Sequence, residues 1–512
     1  MIRRLLPVLS IGLVFSLSPA ILAQGTSSEA PGSQPPPVGS APSLPELTLE
    51  ECIGRALAKN FALEVQRITT SQAKENVIVA EAAFDSELQV VGSRSVLQRP
   101  DAVTTVDGVT TGGSRNDTDS LRAGVSRTLG TGATINASTS LDRGKSSQNT
   151  FLNPAYNGDV SFSIRQPLLR GAGTEYNRAA IRRAEIGVDR SNFDLKGSVL
   201  DLVRDVEQAY FNLVYARGDR AVKDLSLQLA QQLVEENEIR RQVGSAIELD
   251  ILTAQVGVAN ARRNVLLTQQ TVSNREDALL QLIGQFELGQ ALGPVAFPAY
   301  GVPDANFDSS YKLARENDPS LASLEASVRQ YEIDAKVAKR NRLPTLDLGG
   351  AVGLTSREAS YEDAATNVWN RDGYDWQVDL TFRMPWGFRE EKARYRIAQG
   401  NIHREEVRYR QLDQTLMAQV RTAVRAVQTN KESVTISGLA TELSAKQYDL
   451  ERERLKAGLT TSRRVLEAQD DLESARVNEL QAKVSLRIAQ AELERLEGTS
   501  LSRFKINIDQ IR

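Results

Sequence analysis

The stretch from Trp376 to Trp386, WQVDLTFRMPW, constrains the fold of this chain more than any other. Its even-numbered positions up to Met384 are apolar, its odd-numbered positions up to Arg383 are polar, and Pro385 ends the alternation. Because successive side chains of a strand point to opposite faces, this pattern predicts a strand with one apolar and one polar face. Its length fits a bilayer-crossing strand of about 9–11 residues, with aromatic residues at both ends as at membrane interfaces.

The residues after this strand have a different character. Residues 389–456 contain no proline and are largely helix formers, which predicts one very long helix. Val160–Pro167 shows the alternation again, with Val160, Phe162 and Ile164 on one face, and another proline-free tract follows it. A continuous helix over residues 168–243 would be roughly 114 Å long at 1.5 Å per residue. The chain therefore pairs short membrane-type strands with very long helices.

This pairing is repeated within the chain. With a shift of 214 places, Gly244–Gly284 lies over Gly458–Gly498 with eleven identities in 41 positions. Such self-similarity predicts an internal duplication, each copy being helix, strand, loop, strand, long helix, tight turn and return helix. Gly244 and Gly458 are the predicted turn glycines at the helix tips. The predicted segments are a first repeat at 47–284, a linker at 285–306, a second repeat at 307–498 and a tail at 499–512.

The beginning of the chain is typical of an exported protein. Residues 1–23 carry two arginines, a short apolar run and then small residues, which predicts a signal peptide cleaved after Ala20 or Ala23. A membrane anchor is less favoured because the run is too short to span. Residues 24–46 are rich in Ser, Pro and Gly and predict a flexible segment. Cys52 is the only cysteine, and we expect it to be a small buried residue of the helix that begins at Thr48.

Several function classes find no support in the sequence. Lys+Arg (62) and Asp+Glu (65) nearly balance, so there is no basic footprint for nucleic acid. His403 is the only histidine and lies in a charged helical stretch, so neither a metal cluster nor a histidine-dependent catalytic site is indicated. Gly144-Lys145-Ser146 lacks the earlier glycine of a phosphate-binding loop. We expect no enzyme activity, no cofactor, no metal and no nucleic-acid partner.

The geometry of the predicted elements implies assembly. Two copies of the repeat supply four strands, or six with the extra hairpin predicted at Leu121–Asp142, and one chain cannot close a barrel from them. Open strand edges are not tolerated in lipid, so strands placed in a membrane must close with those of other copies. The long helices are too polar for lipid and must stand in water on one side. The predicted fold class is therefore a mixed α/β membrane protein, a helical tube joined to a shared β-barrel.

The chain resembles the TolC-like outer-membrane efflux family over residues 47–499. The residues that carry the resemblance are LTLEECIGRALAKN near the start, RLPTLDLGGAVGLTS at Arg342–Ser356, VDLTFRMP at Val378–Pro385, and the duplicated stretches Arg240–Asn264 and Glu453–Asn478. The resemblance implies a homotrimer in the outer membrane of a Gram-negative-type bacterium, with a periplasmic α-barrel. It also implies a role as exit duct for an inner-membrane pump and its periplasmic adaptor, in tripartite efflux or type I secretion.

The strand patterns predict which side chains meet water and which meet lipid. The polar positions are expected to line the barrel lumen: Ser161, Ser163, Arg165, Asp379, Thr381 and Arg383. Aromatic residues around the second strand pair are interpreted as membrane-interface residues: Trp369, Trp376 and Trp386, with Tyr361 and Tyr374. Aromatic packing inside the protein is the alternative.

The tunnel tip departs from the family pattern. Six residues after the turn glycine, where the family often carries an aspartate, the first copy has Asp250 and the second has Arg464, with Glu467 close by. We hypothesise that Asp250, Arg464 and Glu467 form an ion-pair latch that keeps the tip closed. Ordinary solvated helix charges are the alternative.

The hairpin at Leu121–Asp142 makes the loop between the first strands longer than is usual in the family. It either adds two strands per protomer, giving eighteen rather than twelve per trimer, or forms an extracellular hairpin, which is slightly favoured. The main rival function is a periplasmic coiled-coil adaptor or scaffold without its own barrel. The amphipathic strands argue against that rival, and a secreted adhesin fits the duplicated helices poorly.

Overall fold

A computed structural model describes residues 46–100, 102–106, 109–111, 113–147, 151–244, 247–284, 292–297, 301 and 304–508. The predicted signal peptide, the flexible segment up to residue 45, much of the predicted linker and the last four residues of the tail lie outside the described residues. Within the described part, helices and strands alternate in blocks. The helices are α1 (Leu49–Lys59), α2 (Phe61–Glu81), α3 (Thr174–Asn177), α4 (Ala179–Gln242), α5 (Glu248–Leu282), α6 (Phe307–Asn317), α7 (Pro319–Arg340), α8 (Tyr361–Asn367), α9 (Arg389–Lys456), α10 (Ser462–Glu497) and α11 (Ser500–Arg503).

Six of the eight described strands form one antiparallel sheet in the order β1-β4-β5-β6-β7-β8. The strands are β1 (Ser86–Gln98), β2 (Ala102–Val106), β3 (Val109–Thr111), β4 (Arg115–Thr128), β5 (Thr134–Ser146), β6 (Ala155–Pro167), β7 (Thr345–Glu358) and β8 (Gly373–Arg383). The strands predicted from the alternations at 160–167 and 376–385 are confirmed as parts of β6 and β8. The short β2–β3 ribbon lies between β1 and β4 in the chain and pairs apart from this sheet.

The hairpin predicted at Leu121–Asp142 is β4 and β5, and it lies inside the sheet. β4 pairs with β1 from Ser86↔Arg127 to Gln98↔Arg115, and β5 pairs with β6 from Thr134↔Arg165 onward. The favoured expectation of an extracellular hairpin is therefore wrong. The physical reason is that both inserted strands are as long as their neighbours and keep the same alternation, so they extend the two faces already present.

Three predicted boundaries are also corrected. The helix predicted from residue 168 begins only at α3 and α4, because the chain first turns through Gly171 and Gly173, both at positive φ (82° and 92°). The helix predicted to begin at Thr48 is interrupted at Asn60, whose extended backbone separates α1 from α2. The loop predicted between the two strands of the second repeat contains the end of β7 and helix α8.

The long helices pack mainly against one another. α4 packs against α2, α5, α7 and α10, and α9 packs against α7 and α10. The largest apolar core joins α1, α4 and α5, with Tyr210 and Phe211 fully enclosed. Cys52 is buried in this core as a free thiol, as predicted. Smaller cores lie around α6, α9 and α10, and near the tips.

Two junctions fasten the C-terminal ends of the return helices to short helices. At the first, the Nδ2 of Asn60 donates to the carbonyl oxygen of Leu282, the last residue of α5, at 3.0 Å. At the second, the Nδ2 of Asn317 donates to the carbonyl oxygen of Glu497, the last residue of α10, at 3.1 Å. Helices α5 and α10 are thus held firmly at the ends opposite their tips.

Candidate functional site

All six residues predicted to line a lumen lie on one face of the sheet. The pairing places Arg165 opposite Gly349, and Gly349 opposite Asp379, so all three share a row across β6, β7 and β8. The Nη1 of Arg165 lies 3.8 Å from the Oδ2 of Asp379. Thr381 donates its hydroxyl to the same carboxylate at 3.2 Å. Arg383 lies 4.0 Å from Asp347, which gives this face a second ion pair.

A missing side chain in β7 makes the first of these contacts possible. Gly349 lies between Arg165 and Asp379, and a Cβ added at Gly349 would overlap the Asp379 carboxylate. Gly353 stands in the same relation to Asp375, two rows of side chains farther along the strands. On the polar face of β6–β8, the carboxylates of Asp375 and Asp379 therefore lie over glycines of β7.

The inserted strands continue this polar face. A cavity of about 530 Å³ is lined by side chains of β1, β4, β5 and β6. Ser138 and Ser161 share a hydrogen bond of 2.8 Å, and Ser140 donates to Asp142 at 3.1 Å and to Asp159 at 3.4 Å. Ser138, Ser140, Asp142 and Asp159 were not among the predicted lining residues. Their alternate spacing in β5 and β6 was the signal that could have found them.

The opposite face of the sheet is apolar and exposed. On β8, Val378 and Leu380 are 68% and 64% exposed, and the inserted strands add Leu121 and Val125 to the same face. Trp376 lies on β8 and Trp386 three residues beyond its end, while Trp369 lies in a short 3-10 turn after α8. All three tryptophans are exposed, so none of them packs inside this chain, whereas Tyr361 packs edge-on against Tyr156.

The turn of the inserted hairpin fits against the junction between β6 and α4. The N–H of Gly173 donates to the carbonyl oxygen of Thr131 at 3.0 Å, and a Cβ added at Gly132 would lie 2.5 Å from the carbonyl oxygen of Gly171. Gly132 has a φ of 92°, a conformation that glycine adopts without strain. The hairpin is therefore fixed at this end as well as along its strands.

The two helix tips have turn glycines in the same conformation but different charges. Gly244 has a φ of 76° and Gly458 a φ of 72°. Asp250 accepts a hydrogen bond from the backbone N–H of Ile247 at 3.2 Å and so caps the start of α5. Among the described residues, no ion pair joins Asp250 to Arg464.

The other two predicted tip residues do meet. Arg464 lies 3.3 Å from Glu467, which also pairs with Arg463 at 3.1 Å, one turn apart on α10. Arg241 and Glu248 form a separate ion pair of 2.8 Å across the first tip. A single chain thus brings Arg464 and Glu467 together and leaves Asp250 in a capping role.

Buried polar contacts near the tips escaped sequence reasoning. Asn237 of α4 is fully buried, accepts a hydrogen bond from the Ser462 hydroxyl at 3.0 Å, and donates to the Asp250 carbonyl oxygen at 3.4 Å. Farther from the tip, Gln469 donates to the Ser226 carbonyl oxygen at 2.9 Å. These contacts join the two helical hairpins, α4–α5 and α9–α10. No sequence signal distinguishes such an asparagine from one facing solvent.

Other chemistry is sparse in the described part of the chain. His403 is largely exposed and lies 3.5 Å from Glu406. Among the described residues, no group of three or more His, Cys, Asp and Glu side chains is placed to hold a metal ion. No described helix is long and apolar enough to cross a membrane.

The chain matches a known family. The sequence model of the family described as outer membrane efflux protein matches residues 133–285 and 310–499. These two segments together make up more than half of the chain, and each ends with a return helix, α5 or α10.

Individual relatives and solved structures agree with this match. The chain is 23% identical over 317 residues to the pyoverdine export outer membrane protein OpmQ of Pseudomonas aeruginosa, covering 62% of this chain and 64% of OpmQ, less than two thirds of its length. It is 23% identical over 372 residues to the outer membrane efflux protein BepC of Brucella suis, covering 71% and 76% of the two chains. The crystal structure of the Campylobacter jejuni CmeC outer membrane channel has the same fold, with a TM-score of 0.64, 17% identity and coverage of 88% and 85%.

Proposed function

The chain belongs to the outer membrane efflux protein family, and we propose that three copies form an outer-membrane exit duct. In this proposal the six-stranded sheets close into one barrel in the membrane, and the helices form a tunnel in the periplasm. A periplasmic adaptor and an inner-membrane pump deliver the substrate to the tunnel, as in tripartite efflux or type I secretion.

The observation that carries the proposal is a sheet with two different faces and two free edges. Within the described residues, β1 pairs only with β4 and β8 only with β7, so each leaves one edge without a partner strand. The exposed apolar face has no cover in one chain, and patches of this kind mark membrane or protein contacts. Pairing β1 of one copy with β8 of the next removes both edges and keeps the polar side chains on one side of the wall.

The helices support the same arrangement. α9 has 68 residues and is about 100 Å long at 1.5 Å per residue. α2 exposes Phe61 (75%) together with Val65 and Ile68 on its surface, although it packs on α4. An adjacent copy would cover these side chains. Packing the helices of neighbouring copies side by side would therefore bury apolar surface, as pairing the sheets removes their free edges.

The inserted hairpin sets the proposed width of the barrel. Six strands from each of three copies make eighteen, where four from each would make twelve. Barrel diameter grows roughly linearly with strand number, so eighteen strands give a diameter about one and a half times that of twelve. The wide lumen would be lined by Ser161, Ser163, Arg165, Asp379, Thr381 and Arg383 in each copy, together with the hydroxyl-rich face of β4 and β5.

The latch at the tip is proposed to act between copies. Within a chain Asp250 caps its own helix, and Arg464 pairs with Glu467 on α10. An ion-pair closure that involves all three residues therefore needs a neighbouring copy to bring Asp250 and Arg464 together.

Electron microscopy of the mature protein, purified in detergent from the membrane fraction, tests the proposal. The expected particle has three-fold symmetry, a detergent belt at one end, eighteen strands within the belt and a hollow stalk of roughly 100 Å. A soluble rod without a belt would overturn the duct and favour the rival periplasmic adaptor or scaffold.

A deletion variant separates the barrel width from the rest of the proposal. Arg115 and Ser147 are joined by backbone hydrogen bonding (2.8 Å from the Ser147 N–H to the Arg115 carbonyl oxygen), so residues 116–146 can be removed without stretching the chain. We expect this variant to form a twelve-stranded barrel whose diameter is about a third smaller. If the unmodified protein already has twelve strands, with the hairpin outside the barrel, the width proposal fails and the duct remains.

A further inference from the structure

A second cavity lies where the strands meet the helices. It has a volume of about 700 Å³ and is formed by α3, the last turn of α7, the segment leading into β7 and the start of α9. None of the residues predicted to line the lumen or the tip contributes to it. Its lining combines positive charge with apolar surface, a combination that the duct itself does not require.

The charge of this cavity is strongly unbalanced. Five basic side chains line it, with Glu175 as the only carboxylate: Lys336, Lys339, Arg340, Arg342 and Lys392. Glu175 lies 3.9 Å from Lys336 and so offsets one of the five. In the described part of the chain, neither Lys339 nor Arg340 forms an ion pair. The cavity therefore presents an excess of positive charge at an exposed site.

The apolar part of the cavity is held in place. Tyr176 donates its hydroxyl to the Oδ1 of Asn341 at 2.7 Å, which fixes the ring against the end of α7. Phe388 adopts a left-handed conformation with a φ of 50° directly before α9. With Val337 and Leu343, these rings form an apolar wall beside the basic side chains. Arg342 also stacks over Tyr395, with 5.1 Å from its guanidinium carbon to the ring centroid.

The position of the cavity follows from the end of the apolar sheet face. The exposed apolar side chains of β8 continue through Met384 (46% exposed) to Trp386 (94% exposed), two residues before Phe388. If the apolar face meets lipid, the cavity lies at the height where hydrocarbon gives way to the headgroups of the periplasmic leaflet. This step rests on the proposed membrane location of the sheet.

We propose that this cavity binds an anionic phospholipid, with the basic side chains on the phosphate and the apolar wall against the glycerol and the first carbons of the acyl chains. Clusters of Lys and Arg next to a membrane surface attract anionic lipids, and arginine and lysine are the usual partners of phosphate. Lys339 and Arg340, which form no ion pair within the described residues, supply the discrimination between anionic and zwitterionic headgroups.

The test is native mass spectrometry of the detergent-purified protein, titrated with phosphatidylglycerol and with phosphatidylcholine that carries the same acyl chains. The unmodified protein should bind phosphatidylglycerol more tightly. The Lys339→Gln/Arg340→Gln variant should bind it roughly tenfold or more weakly, with phosphatidylcholine binding unchanged. The matched control is Lys312→Gln/Arg425→Gln, which removes two exposed basic charges from α6 and α9 and should retain the preference.

Three results would overturn the lipid site: no preference for phosphatidylglycerol in the unmodified protein, an undiminished preference in the Lys339→Gln/Arg340→Gln variant, or displacement of phosphatidylglycerol by an equal concentration of inorganic phosphate. The last result would mean that a free anion fills the cavity. Headgroup preference is measured in detergent, so the result for the lipid site does not depend on whether the protein forms a duct. Failure of the duct proposal is seen instead as a belt-free particle in the microscope.

Discussion

The junctions at the C-terminal ends of α5 and α10 contain the same two residue types, an asparagine and a glycine, but differ in the atoms that the glycine packs against. Each has an asparagine that donates to the last carbonyl group of the return helix, followed by a glycine at positive φ, Gly284 or Gly498. A Cβ added at Gly284 would overlap the backbone carbonyl of Lys59, whereas at Gly498 it would lie 2.8 Å from the Cβ of Asn317. The first junction packs backbone against backbone, and the second packs backbone against a side chain.

The capping of the next helix differs as well. Asn60 also accepts a hydrogen bond from the Leu63 N–H at 3.1 Å, so one side chain caps α2 and holds α5. In the second junction these tasks are divided, because Asp318 caps α7 through the Leu321 N–H at 2.7 Å and Asn317 only holds α10. The same two hydrogen bonds are therefore made by one residue in the first junction and by two residues in the second. Replacing the single residue of the first junction should cost more stability than replacing either residue of the second.

The largest expected effect is that of Gly284→Ala. The substitution puts a side chain at positive φ and against a backbone carbonyl that cannot move alone, so we expect a loss of about 2–4 kcal/mol. Gly498→Ala has the same backbone strain but a less severe overlap, with the Cβ of Asn317 at 2.8 Å, so its loss should be smaller. Thermal unfolding of the two variants side by side measures the difference, and equal losses would show that the backbone contact at Gly284 does not matter.

A buried carboxyl group near the second junction is a further difference between the two junctions. After the second junction the chain continues into α11, which brings Arg503 to 3.7 Å from Glu207 of α4. Glu207 is buried, and neither of its carboxyl oxygens has a hydrogen-bond partner among the described residues. Burial raises the pKa of Glu207 to about 8; the positive charge of Arg503 opposes the shift, and Glu494 and Glu50 add to it.

The sign of the pH effect follows from this pKa. The folded pKa of Glu207 exceeds its ordinary value, so its contribution to stability is complete below pH 4.5 and is lost as the pH rises through about 8. We expect the protein to lose about 2 kcal/mol between pH 6 and pH 8 from this group. Glu207→Gln should remove that part of the dependence while leaving stability at pH 5 nearly unchanged. A variant whose unfolding keeps the full pH dependence would show that Glu207 is already ionised in the fold.

The asparagines give a smaller effect that separates the two junctions. Asn60→Ala loses a helix cap and an interhelical hydrogen bond, for an expected cost of about 2 kcal/mol. Asn317→Ala loses only the hydrogen bond to Glu497, for about 1 kcal/mol. Asp318→Ala is the matched control, since it removes the cap of α7 and leaves Asn317 in place. The comparison fails if Asn317→Ala costs as much as Asn60→Ala.

How well the sequence predicts a region depends on the spacing at which polar and apolar residues recur in its helices or strands. In the sheet, alternation assigns every side chain to one face, so the six predicted lumen residues were placed on a common face correctly. The same alternation could not locate the inserted hairpin, because a hairpin with one apolar face suits the sheet or a separate surface equally. Its place is set by its pairing with β1 and β6 along both strands, together with the fit of Gly132 against Gly171 at the turn.

The sequence pattern predicts the breaks and buried polar contacts of the helices less well than it predicts the faces of the strands. The break at Asn60 involves neither proline nor glycine, and it exists because the asparagine side chain gains a cap and a carbonyl partner in the fold. The buried Asn237 is equally hidden, since its partner Ser462 is 225 positions away. Gly171 and Gly173 are the sequence signal for the break before α4, and they lie within an otherwise proline-free tract.

The tips carry the smallest expected effect on stability. Arg463 and Arg464 both pair with Glu467 on one helix, and exposed pairs of this spacing contribute about 0.3–0.5 kcal/mol, so either change to Ala should leave thermal unfolding almost unaltered. The proposed latch gives the two arginines different roles nonetheless, because only Arg464 occupies the position that corresponds to Asp250. Arg464→Ala should raise single-channel conductance in planar bilayers and increase drug leakage into cells, and Arg463→Ala should change neither. If Arg464→Ala leaves both quantities at the level of the unmodified protein, or if the two variants behave alike, these charges are solvated helix residues, and the tip must be closed by other contacts such as the buried hydrogen bond between Asn237 and Ser462.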